Sequence, residues 1–282
     1  MALYHRVALA AAFTPRLPAL LAETRELLQH VGGELAIIHA GEASDEKRAR
    51  FRSALETASL PPETPVHFAP GNPSAAILRV VDDQRIDLLV AGALEKERGL
   101  RYFLGSVARD LVREAPCALI LYTAPRENPE PVRQIVVVAD FSEVTLIALQ
   151  KAVRFAESAG ARRVQVVRVY PTYGETIALT DEGRGGRSSY RARTLADEEA
   201  LLTDVIDAVG RTSVDVEPVT IDDERHAGHA VSRFARSNHT DLLVMPSARP
   251  DARFLERLFP SDMEWVLREI PCNLWVARER LV

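Results

Sequence analysis

Short apolar segments alternate along the chain with longer segments whose apolar residues recur at helical spacing. The strands predicted in the first half are 6–11, 34–40, 65–69 and 86–91. Between the first two, Leu17, Leu20, Leu21, Leu27 and Leu28 are spaced as on one face of a helix. Regular alternation of strands and helices requires parallel strands with right-handed crossovers. The pattern therefore predicts an α/β fold with a doubly wound parallel sheet.

The segment from Ile86 to Tyr122 is typical of a strand, a loop, a helix and a second strand. The apolar run DLLVA ends at Gly92, and a polar loop follows. A helical pattern begins at Ser106 and stops before Pro116. We expect this loop to lead directly into the N-terminus of a helix.

A loop of this kind can bind an anion. The first N–H groups of a helix attract negative charge, and glycine lets a phosphate approach the backbone closely. Gly105 and Ser106 are the residues at which we expect a phosphate. The alternative is that Gly105 only forms a turn and Ser106 only caps the helix. Lys96, Arg98 and Arg101 either contact phosphate oxygens or belong to an ordinary charged loop.

The sequence contains an internal repeat. DLLV occurs at residues 87–90 and again at 241–244, and VREAPCALILY has a counterpart in LREIPCNLWVA. Between the two copies, TAPRENPEPV contains three prolines and no apolar period, as expected of a linker. We predict a first domain at 1–124, a linker at 125–132 and a second domain at 133–282.

The first loop resembles the nucleotide-binding loop of the universal stress protein family, G-x2-G-x9-G-[ST]. Gly92, two residues, Glu95, nine residues and Gly105-Ser106 follow this spacing, with Glu95 in place of the second glycine. The flanking DLLVAG and APCALILY are also similar to that family. The resemblance covers nearly the whole chain as a tandem pair. It implies two Rossmann-like domains of the adenine nucleotide alpha hydrolase type.

The resemblance also implies an adenine nucleotide such as ATP or AMP, with Mg²⁺ accompanying it. It places the nucleotide contacts at Ala40, Gly92, Gly105, Ser106, Val107, Asp140, Val169 and Ser261. The family usually carries an acidic residue at the end of its first strand. The first half has only alanines there, at residues 10–12, whereas the second half has Asp140.

The second phosphate loop is altered. Met245-Pro246 replaces Ala91-Gly92, and Phe259-Pro260-Ser261 replaces Leu104-Gly105-Ser106. Proline has no N–H group and fixes its own φ, so it is unsuited to a backbone phosphate cradle. We therefore expect any nucleotide in the first half, with the second half as a structural partner.

Composition narrows the partners. The net charge is −5 and the basic residues are dispersed, so nothing favours a nucleic-acid or membrane partner. No apolar run reaches the roughly 18 residues of a membrane span. Two cysteines inside apolar segments indicate a reducing compartment, and we expect the cytoplasm. In the family the last strands often pair antiparallel, which would keep Cys117 and Cys272 apart.

Catalytic signals are few. There is no G-x-S-x-G motif, and His226 with His229 gives only a weak metal pattern, so we expect neither a nucleophile nor a metal site. Residues 170–190 are either a surface excursion or a lid or partner contact. The leading hypothesis is a nucleotide-binding stress-response module. The alternatives are a nucleotide-independent interaction module and a slow ATPase. The halves could pair as an intramolecular pseudo-dimer, and two chains could form a homodimer.

Overall fold

The computed structural model describes residues 2–93, 104–140, 142–170, 186–222, 227–247 and 261–279. In the first half the elements are β1 (Arg6–Ala10), α1 (Leu17–Val31), β2 (Glu34–Ala40), α2 (Asp45–Thr57), β3 (Val66–Ala69), α3 (Pro73–Asp83), β4 (Leu88–Gly92), α4 (Ser106–Glu114) and β5 (Ala118–Tyr122). In the second half they are β6 (Gln134–Val138), α5 (Glu143–Ala159), β7 (Arg163–Tyr170), α6 (Gly186–Asp207), β8 (Asp215–Asp222), α7 (Ala227–Ser237), β9 (Leu242–Pro246), α8 (Ser261–Arg268) and β10 (Asn273–Ala277).

Several helix boundaries follow from local capping. The side chains of Ser44, Asn72 and Ser142 each accept a hydrogen bond from a backbone N–H in the first turn of the following helix. Gly160 ends α5 in the left-handed conformation, with φ 66°, where a residue without a Cβ has no steric penalty. These caps are why the strand-helix alternation was readable from the sequence.

The described strands form one ten-stranded sheet in the order β3-β2-β1-β4-β5-β10-β9-β6-β7-β8. Each half contributes five parallel strands in the same relative order. The direction reverses only between β5 and β10, which pair antiparallel with Trp275 opposite Ile120. The predicted α/β class with two doubly wound parallel units is confirmed, and the units share one continuous sheet. The antiparallel pairing of the last strands, expected from the family, is also present.

Helices cover both faces of the sheet. One core contains Leu9, Leu21, Phe51, Phe155 and Trp275, and it runs across both halves. The other core packs α3, α4, α7 and α8 against the opposite face. Strands buried on both faces are what a parallel sheet requires.

One boundary was predicted wrongly. Residues 186–190 were assigned to the excursion after β7, but Gly186–Tyr190 forms the start of α6. Glycine and serine suggested a loop, yet both are tolerated near a helix start, where the backbone N–H groups have no intrahelical acceptor. The rest of the predicted excursion, 171–185, lies outside the described residues.

Candidate functional site

A cavity of about 280 Å³ lies at the carboxyl ends of β1, β2 and β4. In the strand order the chain reverses its direction of progression between β1 and β4, and open α/β sheets bind ligands in the crevice at that point. The walls include Ala10, Ala11, Ala12, Ala40, Gly92 and Val107. These small side chains leave the space open and make it mostly apolar.

Gly92 packs tightly against α1. A Cβ atom at this position would lie 2.9 Å from Cδ1 of Leu20, which also lines the cavity. The missing side chain is therefore required by packing, in addition to any approach of a phosphate. This second reason for the glycine depends on a contact between residues far apart in the sequence.

The N-terminus of α4 opens beside the cavity. Gly105 is the N-cap, with φ −62° and ψ 156°, and Ser106 is the first helical residue. The alternative in which Ser106 caps the helix is therefore wrong. No hydrogen bond connects the N–H groups of Ser106 and Val107 to an acceptor among the described residues. These amides can accept an anion as a ligand.

The charged group at the cavity wall is Arg16, which the sequence analysis missed. Its Nη1 donates to the backbone oxygen of Ala93 at 3.3 Å. The signal was Thr14-Pro15-Arg16, a turn directly after the first strand and therefore at the ligand-binding edge. No carboxylate lines the cavity among the described residues, as the alanines at the end of β1 predicted. Glu95, Lys96, Arg98 and Arg101 lie outside the described residues.

In the second half, Asp140 interacts with the start of α5. Its Oδ1 accepts hydrogen bonds from Ser142 N at 3.0 Å, Ser142 Oγ at 2.6 Å and Thr145 Oγ1. Burial alone would raise the pKa of Asp140, but the hydrogen bonds from Ser142 and Thr145 outweigh it and lower the pKa. The carboxylate is thus ionised at neutral pH and orders the first turn of α5.

The other second-half candidates are separated from the first-half cavity by the intervening strands. Val169 is a buried residue of β7, and Ser261 is the first residue of α8. Pro246 is the last residue of β9 and is paired with Ala277. Phe259 and Pro260 lie outside the described residues. The structure thus brings together Ala40, Gly92, Gly105, Ser106 and Val107 but not the second-half set.

Other features of the site analysis concern metals, thiols and membranes. The described residues contain no cluster of three or more potential metal ligands, and His226 lies outside them. Cys117 and Cys272 are both free thiols, as expected. None of the helices in the described ranges combines the length and apolarity needed to span a bilayer.

Comparison with known proteins agrees with this architecture. The model of the universal stress protein family matches the chain twice, at residues 5–122 and 131–278. The chain belongs to the universal stress protein family. No curated protein matches this family member significantly.

Solved structures resemble this universal stress protein over nearly its whole length. A functionally unknown protein from Pseudomonas aeruginosa PAO1 is 15% identical with a TM-score of 0.69, covering 98% of this chain and 93% of that one. A universal stress protein from Archaeoglobus fulgidus DSM 4304 is 15% identical with a TM-score of 0.64, covering 98% of both chains. A putative universal stress protein from Pseudomonas aeruginosa UCBPP-PA14 is 15% identical with a TM-score of 0.63, covering 98% and 94%. At these identities the likeness concerns the fold.

Proposed function

We propose that this universal stress protein binds an adenine nucleotide, ATP or AMP, in the cavity of its first half and acts as a stress-response binding module. The observation that carries the proposal is the position of α4. Its unpaired N-terminal amides lie beside an apolar cavity at the switch point of the sheet. A base requires the apolar space, and a phosphate requires the amides.

The dimensions favour a particular orientation. A volume of about 280 Å³ is at the lower end for small-molecule pockets, so it accommodates a base and ribose better than a whole nucleotide. The alanines at 10–12 and Ala40 leave room for a planar ring at the ends of β1 and β2. The phosphates would then extend toward Gly105, Ser106 and Val107. Arg16, at the same wall, adds positive charge to the site.

The second half is proposed to be a structural partner, with the division between domains at 125–132. Pro246 stands at the position of Gly92 and offers no N–H group. Ser261 begins α8 but does not by itself replace the lost amides. Two free thiols are consistent with a reducing cytoplasm.

Slow ATP hydrolysis is a weaker candidate. The described lining of the first-half cavity contains no carboxylate to hold Mg²⁺ or to orient a water, so Mg²⁺ would be held mainly by phosphate oxygens. Asp140, the acid expected by the family, is occupied at the start of α5 in the other half. The arrangement supports binding better than turnover.

Calorimetric titration with ATP, ADP and AMP tests the proposal, with Gly105→Pro as the first variant. Because Gly105 already has φ −62°, proline fits the backbone and removes mainly one N–H group. Val107→Glu places a negative charge at the helix start, which stabilises the helix but repels phosphate. Both variants should melt like the wild type and bind nucleotide at least about tenfold more weakly.

Two results would contradict the proposal. One is the absence of heat from the wild type at millimolar nucleotide. The other is unchanged nucleotide affinity in both variants, which would show that the anion does not lie at α4.

A further inference from the structure

A second cavity, of about 390 Å³, lies between the two halves. Its walls come from α1, α5, the linker and the start of β10, and they include Glu23, Leu27, Tyr122, Phe155 and Thr240. Leu27 and Phe155 provide an apolar floor. The exposed pair Arg126 and Glu130, whose side chains contact each other, lies at the solvent side. This cavity is separate from the proposed nucleotide site.

Glu23 carries the chemistry of this cavity. The residue is only 9% exposed, and its Oε1 accepts the backbone N–H of Arg126 at 3.0 Å. Its Oε2 accepts no hydrogen bond from any described residue. The guanidinium of Arg126 pairs with Glu130 instead. A buried carboxylate oxygen at the wall of a cavity thus has no cationic side chain paired with it.

A second polar group in the wall is also unsatisfied. The hydroxyl of Thr240 is buried and has no hydrogen-bond partner among the described residues. Native proteins rarely leave such groups unpaired without a ligand, an ion or a water.

The repeat supplies an internal comparison for this site. Glu23 and Lys151 both lie nine residues before the glycine that follows their helix, Gly32 or Gly160. The two helices meet at the axis that relates the halves, where His30 Nδ1 lies 3.2 Å from Ser158 Oγ. The position of Glu23 in one half is therefore that of Lys151 in the other.

The counterpart of the cavity is filled by the protein itself. The ring of Tyr4, only 2% exposed, has the Lys151 ammonium 4.5 Å from its centroid, and that ammonium pairs with Glu279 at 2.6 Å. Tyr4 lies two residues before β1, and the residue two before β6 is Val132, which lines the cavity. A smaller side chain in place of Tyr4 leaves the space open, and a carboxylate in place of Lys151 leaves it without a cation.

We propose that the cavity between the halves binds a small primary amine with an aromatic body. The ammonium donates to Glu23 Oε2, and the ring lies against Leu27 and Phe155, in the place that Tyr4 takes in the counterpart. The bound molecule thus reproduces the ring and ammonium that Tyr4 and Lys151 supply in the other half. The site depends on neither α4 nor the proposed nucleotide.

Tyramine is the matching probe because it joins a phenol ring to an ammonium. Its anionic and neutral analogues, 3-(4-hydroxyphenyl)propionate and 4-ethylphenol, keep the ring and change the charge. Calorimetry on the full chain should show binding of tyramine, weaker binding of 4-ethylphenol and none of the propionate. Saturating AMP should leave tyramine affinity unchanged, which separates this site from the nucleotide site.

Three variants complete the experiment. Glu23→Gln should weaken tyramine binding by about tenfold to a hundredfold, as expected for one charge-assisted hydrogen bond. Glu63→Gln makes the same charge change at an exposed residue outside the cavity and should leave affinity unchanged. Val132→Tyr, which restores the counterpart's ring, should abolish binding while the protein stays folded. Equal affinity for the amine and the neutral phenol, or full tyramine affinity in Glu23→Gln, would overturn the proposal.

Discussion

Gly92 and Leu20 are in such close contact that a Cβ atom on the glycine would lie 2.9 Å from Cδ1 of the leucine. In the second half the equivalent positions are occupied by Pro246 and Ala148, because Leu20 and Ala148 both lie twelve residues before the glycine that follows their helix. A large residue on the helix accompanies a small one on the strand in the first half, and the reverse holds in the second. The cavity at β4 is therefore bounded by a matched pair.

Gly92→Ala should destabilise the protein by about 1 to 3 kcal/mol, because Leu20 must move in a packed core. Leu20→Ala alone should cost about 2 to 5 kcal/mol. The double variant should cost clearly less than the sum, since alanine at position 20 removes the clash. Urea unfolding of the four proteins measures this coupling, and strictly additive losses would show that Leu20 is not the constraint on Gly92.

Asp140→Ala should lower stability by about 1 kcal/mol at neutral pH, because the start of α5 loses the acceptor for Ser142 and Thr145. The folded pKa of Asp140 is lowered, so its stabilisation is present above the unfolded pKa and is lost as pH falls through the folded pKa. The difference from wild type should therefore shrink in acid.

Thr145→Val serves as the matched variant, because it removes one donor to Asp140 and keeps the carboxylate. Combined with Asp140→Ala it should add little further loss at neutral pH. Neither change should alter AMP affinity, which calorimetry measures. Loss of AMP binding in Asp140→Ala would place the nucleotide in the second half instead.

Glu23→Gln should raise the melting temperature at neutral pH. Burial raises the pKa of Glu23, and the nearby Glu26 and Glu130 add to this, while the N–H and charge of Arg126 oppose it. With a folded pKa above the unfolded one, stability falls as pH rises through that interval. Glutamine keeps the acceptor for Arg126 without the charge.

Thermal melts at pH 3 and pH 7 test this sign. The gain from Glu23→Gln should be present at pH 7 and vanish at pH 3, where glutamate is protonated in both states. Glu63→Gln, at an exposed position, should show no such pH dependence. A destabilised Glu23→Gln at pH 7 would mean that the carboxylate has a partner beyond the described residues.

Arg278→Met should destabilise the protein by about 2 to 4 kcal/mol. The guanidinium is buried and donates to Val112 O at 2.7 Å and Ala115 O at 2.8 Å, at the end of α4, and to Ser247 Oγ at 3.1 Å. Methionine fills a similar volume but leaves the two carbonyls without donors. Burial lowers the pKa of Arg278 to about 10, so it remains charged at neutral pH.

Arg278→Lys provides the control, because it keeps the charge and loses the planar set of donors. Its stability in urea should lie between those of wild type and Arg278→Met. A methionine variant as stable as the wild type would show that these three bonds do not hold the two halves together.

The sequence alone determined the alternating elements, and it predicted the bounds of Glu34–Ala40 and Glu143–Ala159 as the structure has them. It also revealed the repeat and the small residues at the ends of β1, β2 and β4. These features follow from local rules, because periodicity, capping residues and prolines act within a few positions of the chain. The assignment of Gly186–Tyr190 failed where glycine-rich composition overlapped with a helix start.

Only the tertiary structure decided which distant side chains meet. That Gly92 is fixed by Leu20, that Arg16 reaches Ala93, and that Glu23 borders a cavity between the halves depends on how helices pack across the sheet. Sequence spacing gives the face of an element but not its neighbour on that face. For this reason the repeat was legible in the sequence, whereas the difference between its two halves at Glu23 and Lys151 acquired meaning only once the halves were placed about their shared axis.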